Sequence, residues 1–238
     1  MLALIDGDIV AYRIGFASQS KDKETGLVKA DPKSYAIHSL QLYVNGLIDD
    51  IGCTEYKIFL SPSKNYRNKV RDDYKGNRKN TPKPIHLKAI RTYLISAYKA
   101  QVVKGIEADD ALGLMQEKDG STCIATVDKD LLMVEGKHYH MVKKTHTTVA
   151  HEEGERFFYQ QMLTGDTADN ILGLKGIGPV KASKLLDGTN REDWDSMILD
   201  AYIEHFGYEE GRMRCVQNSQ LLWILQKDKL MPMDFTYE

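Results

Sequence analysis

The chain has 238 residues, 42% of them hydrophobic and 28% charged, with a net charge of −2; that length fits one large domain, or a domain with an appended module. No apolar stretch reaches bilayer-spanning length, and the start, MLALIDGD, lacks the basic segment, apolar core and cleavage site of a secretory signal. The near-neutral total excludes a uniformly basic nucleic-acid coat. Cys53, Cys123 and Cys215, odd in number and not at metal-finger spacing, read as reduced thiols of a cytoplasmic protein.

Along the chain, short runs that are apolar rather than alternating read as buried parallel strands. The first, residues 2–5, leads straight into Asp6-Gly7-Asp8. Residues 18–31 are polar and read as a loop. Asp31-Pro32, a cap followed by a first-turn proline, opens a helix whose Ile37, Leu40, Val44, Leu47, Ile48 and Ile51 recur on one face. A second run, residues 57–60, precedes a basic segment. Between Lys64 and Arg91 ten Lys/Arg stand against Asp72 and Asp73, a local +8 that leaves about −10 for the remainder. A basic segment set against an acidic remainder suits a polyanionic partner, although a charge run by itself is more often a solvated face.

The third run, Val102-Val103, leads to Glu107, Asp109 and Asp110, and the fourth, residues 123–127, to Asp128-Lys129-Asp130. Strands alternating with helices predict an α/β fold, a parallel sheet with helices on both faces. Past about Thr164 only helices are expected, over residues 179–186, 192–206 and 209–226. They form a smaller helical module behind an α/β core.

Polar residues follow each strand directly. In an open parallel sheet the carboxyl ends of the strands line the crevice where ligands bind, so acids from distant parts of the sequence should converge there. A fourth acidic group, Asp166 and Asp169, has a spacing that one helical turn places on one side. Each acid alone reads as a helix cap or a dipole partner. Four groups gathered at one edge need cations, and magnesium or manganese, hard ions bound through carboxylates, water and phosphate oxygens, resolve the repulsion. Two such ions roughly 4 Å apart form a phosphodiester-cleaving arrangement.

Two further stretches bear on a nucleic-acid partner. From composition alone, Tyr74-Lys75-Gly76-Asn77-Arg78-Lys79 reads as a solvated turn, with the option that a cation meets a phosphate and Tyr74 stacks on an unpaired base. Gly173-Leu174-Lys175-Gly176-Ile177-Gly178-Pro179-Val180-Lys181-Ala182 reads as a glycine hairpin joining two short helices. Backbone amides at the second helix start would face a phosphate, and Lys175, Lys181 and Lys184 would add charge without reading bases.

The pieces IDGD, YKGNR, GIEADD, TVDKD, GDTADNI and GLKGIGPVKA occur in this order from Ile5 to Ala182. Together they resemble the flap-endonuclease/5′ nuclease superfamily, in particular the 5′–3′ exonucleases of T-odd bacteriophages; QNSQLLWIL, Gln217 to Leu225, resembles their closing helix more weakly. The resemblance implies a PIN-like core over residues 1–163 with a gateway or arch. Residues 164–238 then form a helix–hairpin–helix module and C-terminal helices that grip duplex DNA. It implies that Asp6, Glu107, Asp109 and Asp110 ligate a first metal ion, Mg2+ or Mn2+, and that Asp128, Asp130, Asp166 and Asp169 serve a second, some through water. Lys75 and Arg78 become gateway cations at the scissile phosphate and Tyr74 a stacking residue. With Arg67, Lys79, Lys175, Gly176, Gly178, Lys181 and Lys184 they complete the expected DNA-binding set, and K+ is expected at the glycine hairpin.

The implied activity is metal-dependent 5′–3′ exonucleolytic, or flap-endonucleolytic, cleavage in DNA replication, primer removal or degradation. The expected enzyme is a monomer in the cytoplasm of a bacterium or phage host, without a membrane partner. It would act on duplex DNA with a 5′ end, nick or flap, and an RNA–DNA hybrid is a further candidate substrate. In one place the sequence departs from the pattern. The superfamily places another metal-binding aspartate after the second strand, where this chain has Leu60-Ser61-Pro62-Ser63. Ser61, a water or Asp72 are the candidates to fill that position. A catalytically weakened DNA-binding member is therefore the alternative reading, and a PIN-type ribonuclease a third, against which the GIGP hairpin counts.

Overall fold

At the centre of the computed structural model, which describes residues 1–229 and 231, lies β1 (Leu2–Asp6). It pairs in parallel with β4 (Glu55–Leu60) on one side and β6 (Thr122–Thr126) on the other. The sheet continues outward to β5 (Gln101–Val102) beyond β4 and to β7 (Gly136–His140) beyond β6, both parallel. A last strand, β8 (Thr145–Val149), runs antiparallel on β7. Two shorter strands, β2 (Gln19–Lys21) and β3 (Val28–Ala30), form a separate hairpin.

Side chains alternate across a strand, so β1 feeds two cores. Ala3 and Ile5 join Val10, Leu40, Val44, Ile58, Leu60, Ile90 and Leu94 on one face. Ile58 and Leu60 are on β4, and the rest come from α1 (Gly7–Ala17), α2 (Lys33–Ile51) and α4 (Leu87–Tyr98). Leu4 and Phe59 join the other face, built on α5 (Ala108–Met115), α6 (His151–Thr164) and the C-terminal helices α7 (Pro179–Asp187), α8 (Trp194–Phe206) and α9 (Tyr208–Leu222). A one-turn helix, α3 (Arg67–Val70), packs beneath α9. That second cluster runs without a break from Leu4 and Ile124 to Trp194 and Tyr202, so the C-terminal helices share the core of the sheet. Residues 230 and 232–238, at the end of the expected module, lie outside the described residues.

Several local expectations are corrected. Residues 19–30 form the β2–β3 hairpin instead of a loop, closed by Asp22, whose carboxylate accepts from the amides of Glu24 and Thr25. Asp31 does not cap α2, because its amide is drawn back to the Ser18 carbonyl and Pro32 takes the capping position without a side-chain bond. The chain past Thr164 is not purely helical. β9 (Gly165–Asp166) and β10 (Ile171–Leu172) pair before the glycine hairpin, which is therefore entered from a strand and not from a short helix. The glycines explain this: a Cβ on Gly173 would lie 2.3 Å from the Gly165 amide nitrogen, an approach only glycine permits. α9 ends at Leu222, and residues 223–225 leave it to enter the core.

Candidate active site

Asp6 ends β1 and caps α1, its Oδ1 accepting from the amides of Asp8 and Ile9 at 3.1 Å each and its Oδ2 from the Thr126 hydroxyl at 2.9 Å. It is 2% exposed. Burial pushes its carboxyl up to about 7, and the charges of Asp8 and Asp128 add to the effect. Asp109, in the first turn of α5, is raised well above the usual carboxylate range by burial and then by Asp6 and Asp128. On the far side of Asp128, Asp130 is pushed up to about 7 by burial and by its neighbours Asp128 and Asp166. Acids at the end of β1 and after β5 and β6 thus meet at one edge, as their strand ends predicted. Asp166, ending β9, and Asp169, just past it, join them there, although the sequence did not signal that strand.

Asp130, Asp166 and Asp169 each present an oxygen within 4.8 Å of the others'. Asp166 caps a 3-10 turn, Thr167–Asp169, through the Ala168 amide at 2.9 Å, and that turn brings Asp169 round to it. At Asp130 and Asp166 local compensation is slight: Gln161 donates to Asp130 at 2.7 Å, and the exposed Lys129 approaches Asp130 and Asp166 only to 3.9 and 4.0 Å. A hard divalent cation fits this set. The donors are all oxygen, they are partly or wholly buried, and at least one of them does not ionise readily while the charge stays uncompensated.

Glu107 is held differently. Its Oε1 accepts from Asn65 Nδ2 at 3.0 Å and Lys75 Nζ at 2.8 Å, and its Oε2 from the Tyr74 hydroxyl at 3.0 Å. The same Tyr74 hydroxyl lies 3.0 Å from Asp169 Oδ2, so its one proton serves a single carboxylate at a time. Lys75 Nζ is also 3.4 Å from Asp169, whose other oxygen pairs with Arg78. Arg78 and Asn77 further bind the carbonyls of Ala168 and Thr167. The YKGNR turn thus lies across the acids, bridging Glu107 to Asp169. Its backbone turns at Lys75, which takes a left-handed φ of 55°.

Three assignments are corrected. Arg67 does not face DNA: it is 2% exposed, both its terminal nitrogens bind Asp110 at 2.7 and 2.9 Å, and it donates to the Leu221 and Trp223 carbonyls. Asp110 is no metal ligand, because it is fully buried and its oxygens are occupied by Arg67 and by the amides of Glu107 and Leu225. Tyr74 offers no stacking face, being 4% exposed with Lys75 lying over its ring at 5.0 Å. Asp72, a candidate for the position of the aspartate missing after β4, is exposed. Sequence reasoning missed Asn65 and Gln161, neutral donors that lie in no motif, and the uses made of Thr126 and Asp8, whose only signals were their places in TVDKD and DGD.

Away from the acids, Lys79, Lys175, Gly176, Gly178, Lys181 and Lys184 are all exposed. Gly176 turns at φ 82°, in the left-handed region, and Gly178 caps α7 with Pro179 in its first turn. Gln160 reaches the Pro179 carbonyl and Asn218 the Leu172 carbonyl, which pins both ends of the hairpin to α6 and α9.

Comparison with known proteins bears on the family and the fold. The family model described as the N-terminal, resolvase-like domain of 5′–3′ exonuclease matches residues 1–162. A 5′–3′ exonuclease of Mycoplasma genitalium is 29% identical over 208 residues, 77% of this chain and 70% of that one. DNA polymerase I of Bacillus caldotenax is 29% identical over 209 residues, 78% of this chain but 23% of the polymerase. The chain thus spans from 20% to 28% of the length of this and similar polymerases that it matches. In fold it is similar to the phage T5 protein crystallised with metal ions (TM-score 0.59, 15% identity, covering 93% of this chain and 95% of that one). It is likewise similar to the T5 flap endonuclease in complex with DNA and metal ions (TM-score 0.59, 14% identity, 93% and 94%).

Proposed function

Since the chain belongs to the 5′–3′ exonuclease family, whose N-terminal resolvase-like domain it carries, we propose that it is a divalent-metal-dependent 5′–3′ exonuclease with flap-endonuclease capacity. It acts in the cytoplasm as a monomer and hydrolyses phosphodiesters at the 5′ ends, nicks or flaps of duplex DNA. RNA–DNA hybrids, as in primer removal, are a further substrate to test. The observation that carries this reading is the acid set itself: Asp6, Glu107, Asp109, Asp128, Asp130, Asp166 and Asp169 crowded at the carboxyl edge of the sheet under a basic turn.

Asp6, Glu107 and Asp109 would hold one Mg2+ or Mn2+ and Asp130, Asp166 and Asp169 a second, with Asp128 between them. Bound there, such ions supply charge for the phosphate and activate water. Lys75 and Arg78, which lean on Glu107 and Asp169, are the side chains that would meet the scissile phosphate. Asp6 is fixed by Thr126 and by two amides, so it needs no rearrangement. The glycine hairpin supports a second contact, with the duplex backbone, through the amides of the α7 start, Lys175, Lys181, Lys184 and a K+ ion.

Hydrolysis of a 5′-labelled duplex, of nicked and flapped DNA and of an RNA–DNA hybrid in Mg2+ tests the reading. The wild-type chain is expected to release 5′-terminal products, and Asp128→Asn or Asp166→Asn to abolish them. Equal cleavage by these variants, or none by the wild-type chain in Mg2+ or Mn2+, would reject it.

A further inference from the structure

Ser61 stands just past the end of β4, and all three of its polar groups are engaged. Its amide donates to Asp8 Oδ2 at 2.8 Å, its carbonyl accepts from Arg91 at 2.7 Å, and its hydroxyl oxygen accepts from the Ala108 amide at 2.9 Å. Arg91 also pairs with Asp8, so Asp8, Arg91 and Ser61 close a ring of charge-assisted bonds joining α1, α4 and the end of β4. Through the Ser61 hydroxyl that ring is tied to the first turn of α5, and through the Asp8 amide to Asp6.

That turn carries Glu107 and Asp109. The first amides of a helix have no partner inside it, and here the Ala108 amide, between the two acids, is satisfied by Ser61 from another element. We propose that Ser61, clamped by the Asp8–Arg91 pair, is a positioning residue that sets the placement of Glu107 and Asp109 and hence the divalent-metal affinity of their site. Asp8, although acidic and two residues from Asp6, serves in the clamp. Arg91 stands in the second turn of α4 as the last cation of the basic segment, so the clamp also ties the far foot of that segment to the acids.

The inference rests on the metal-dependent reading, and its test separates the two. Mn2+ binding is measured by electron paramagnetic resonance on the DNA-free chain, alongside the Mg2+ concentration giving half-maximal cleavage. Ser61→Ala and Arg91→Met are expected to weaken Mn2+ binding about 10-fold, the effect typical of groups that orient metal ligands. The half-maximal Mg2+ concentration should rise in step, and the rate should recover at saturating Mg2+. Ser61→Thr, which keeps the hydroxyl, should restore the wild-type affinity. Near-UV circular dichroism checks that the variants fold, and Asp8→Asn carries the same test if Ser61→Ala does not. Unchanged Mn2+ affinity in folded variants whose wild-type parent binds and cleaves would overturn the positioning role alone. A wild-type chain that neither binds Mn2+ nor cleaves would overturn the parent reading with it.

Discussion

The two halves of the acid cluster are balanced in different ways. Around Glu107 the protein supplies its own donors, namely the Lys75 ammonium, the Tyr74 hydroxyl and the Asn65 amide, with Arg67 3.5 Å away. Around Asp130 and Asp166 it supplies one glutamine and a distant, solvated lysine. The comparison teaches that the first half is neutralised by the protein's own groups, whereas the second is left with little internal compensation and so suits a cation from outside. Asp169 belongs to both, since it completes the oxygen triad yet is gripped by Lys75 and Arg78.

The contrast breaks most sharply at the second half. Asp166→Asn should cut cleavage on the order of 100-fold or more, the scale of losing a directed charge contact in a transition state, while leaving thermal stability unchanged or raised as repulsion is relieved. A large loss of stability instead would mean that the triad is structural. Arg67→Met tests the self-compensated half. It should cost about 3–5 kcal/mol in chemical denaturation, because Asp110 would be left buried and unpaired, and the double variant Arg67→Met/Asp110→Leu should recover much of it. Full stability in the single variant would contradict the buried pair.

Proton linkage gives a smaller effect. Asp6 and Asp130 have carboxyls raised to about 7 in the folded chain against 3.8 as the ordinary value. The folded state therefore binds more protons between these values, so the contribution of both groups to stability falls as pH rises through this window. Differential scanning calorimetry of the metal-free chain should show a higher Tm near pH 6 than near pH 8, and saturating Mn2+ should remove the difference. Calorimetric titration in buffers of different ionisation enthalpy should show protons released on metal binding near pH 6.5. The mildest effect belongs to the hairpin, where Lys181→Glu should lower duplex affinity and reduce the salt slope by about 1. An unchanged slope would place the duplex elsewhere.

Much of the fold was legible because burial leaves a simple record: apolar runs at Leu2–Ile5 and Cys123–Val127 became the central strands, and Leu40, Val44 and Leu47 the buried face of α2. β7 and β8 left no such record. His138 and Tyr139 are polar-tipped, and the threonines of β8 are exposed. The acids were legible as a group, since strand ends converge whatever the details. Their individual duties were not: Asp109 and Asp110 are neighbours of one type, and only the three-dimensional path of Arg67 turns one into a buried counter-ion. Tyr74 likewise reads as an aromatic in a basic run until its hydroxyl is seen between Glu107 and Asp169.

The most direct test of the central claim is a Mn2+ titration of the DNA-free chain followed by electron paramagnetic resonance, with Asp130→Asn beside it. Saturable uptake of two ions by the wild-type chain, with one lost in the variant, is the predicted result. A wild-type chain that takes up no Mn2+ saturably would contradict the claim that these carboxylates are gathered to hold metal.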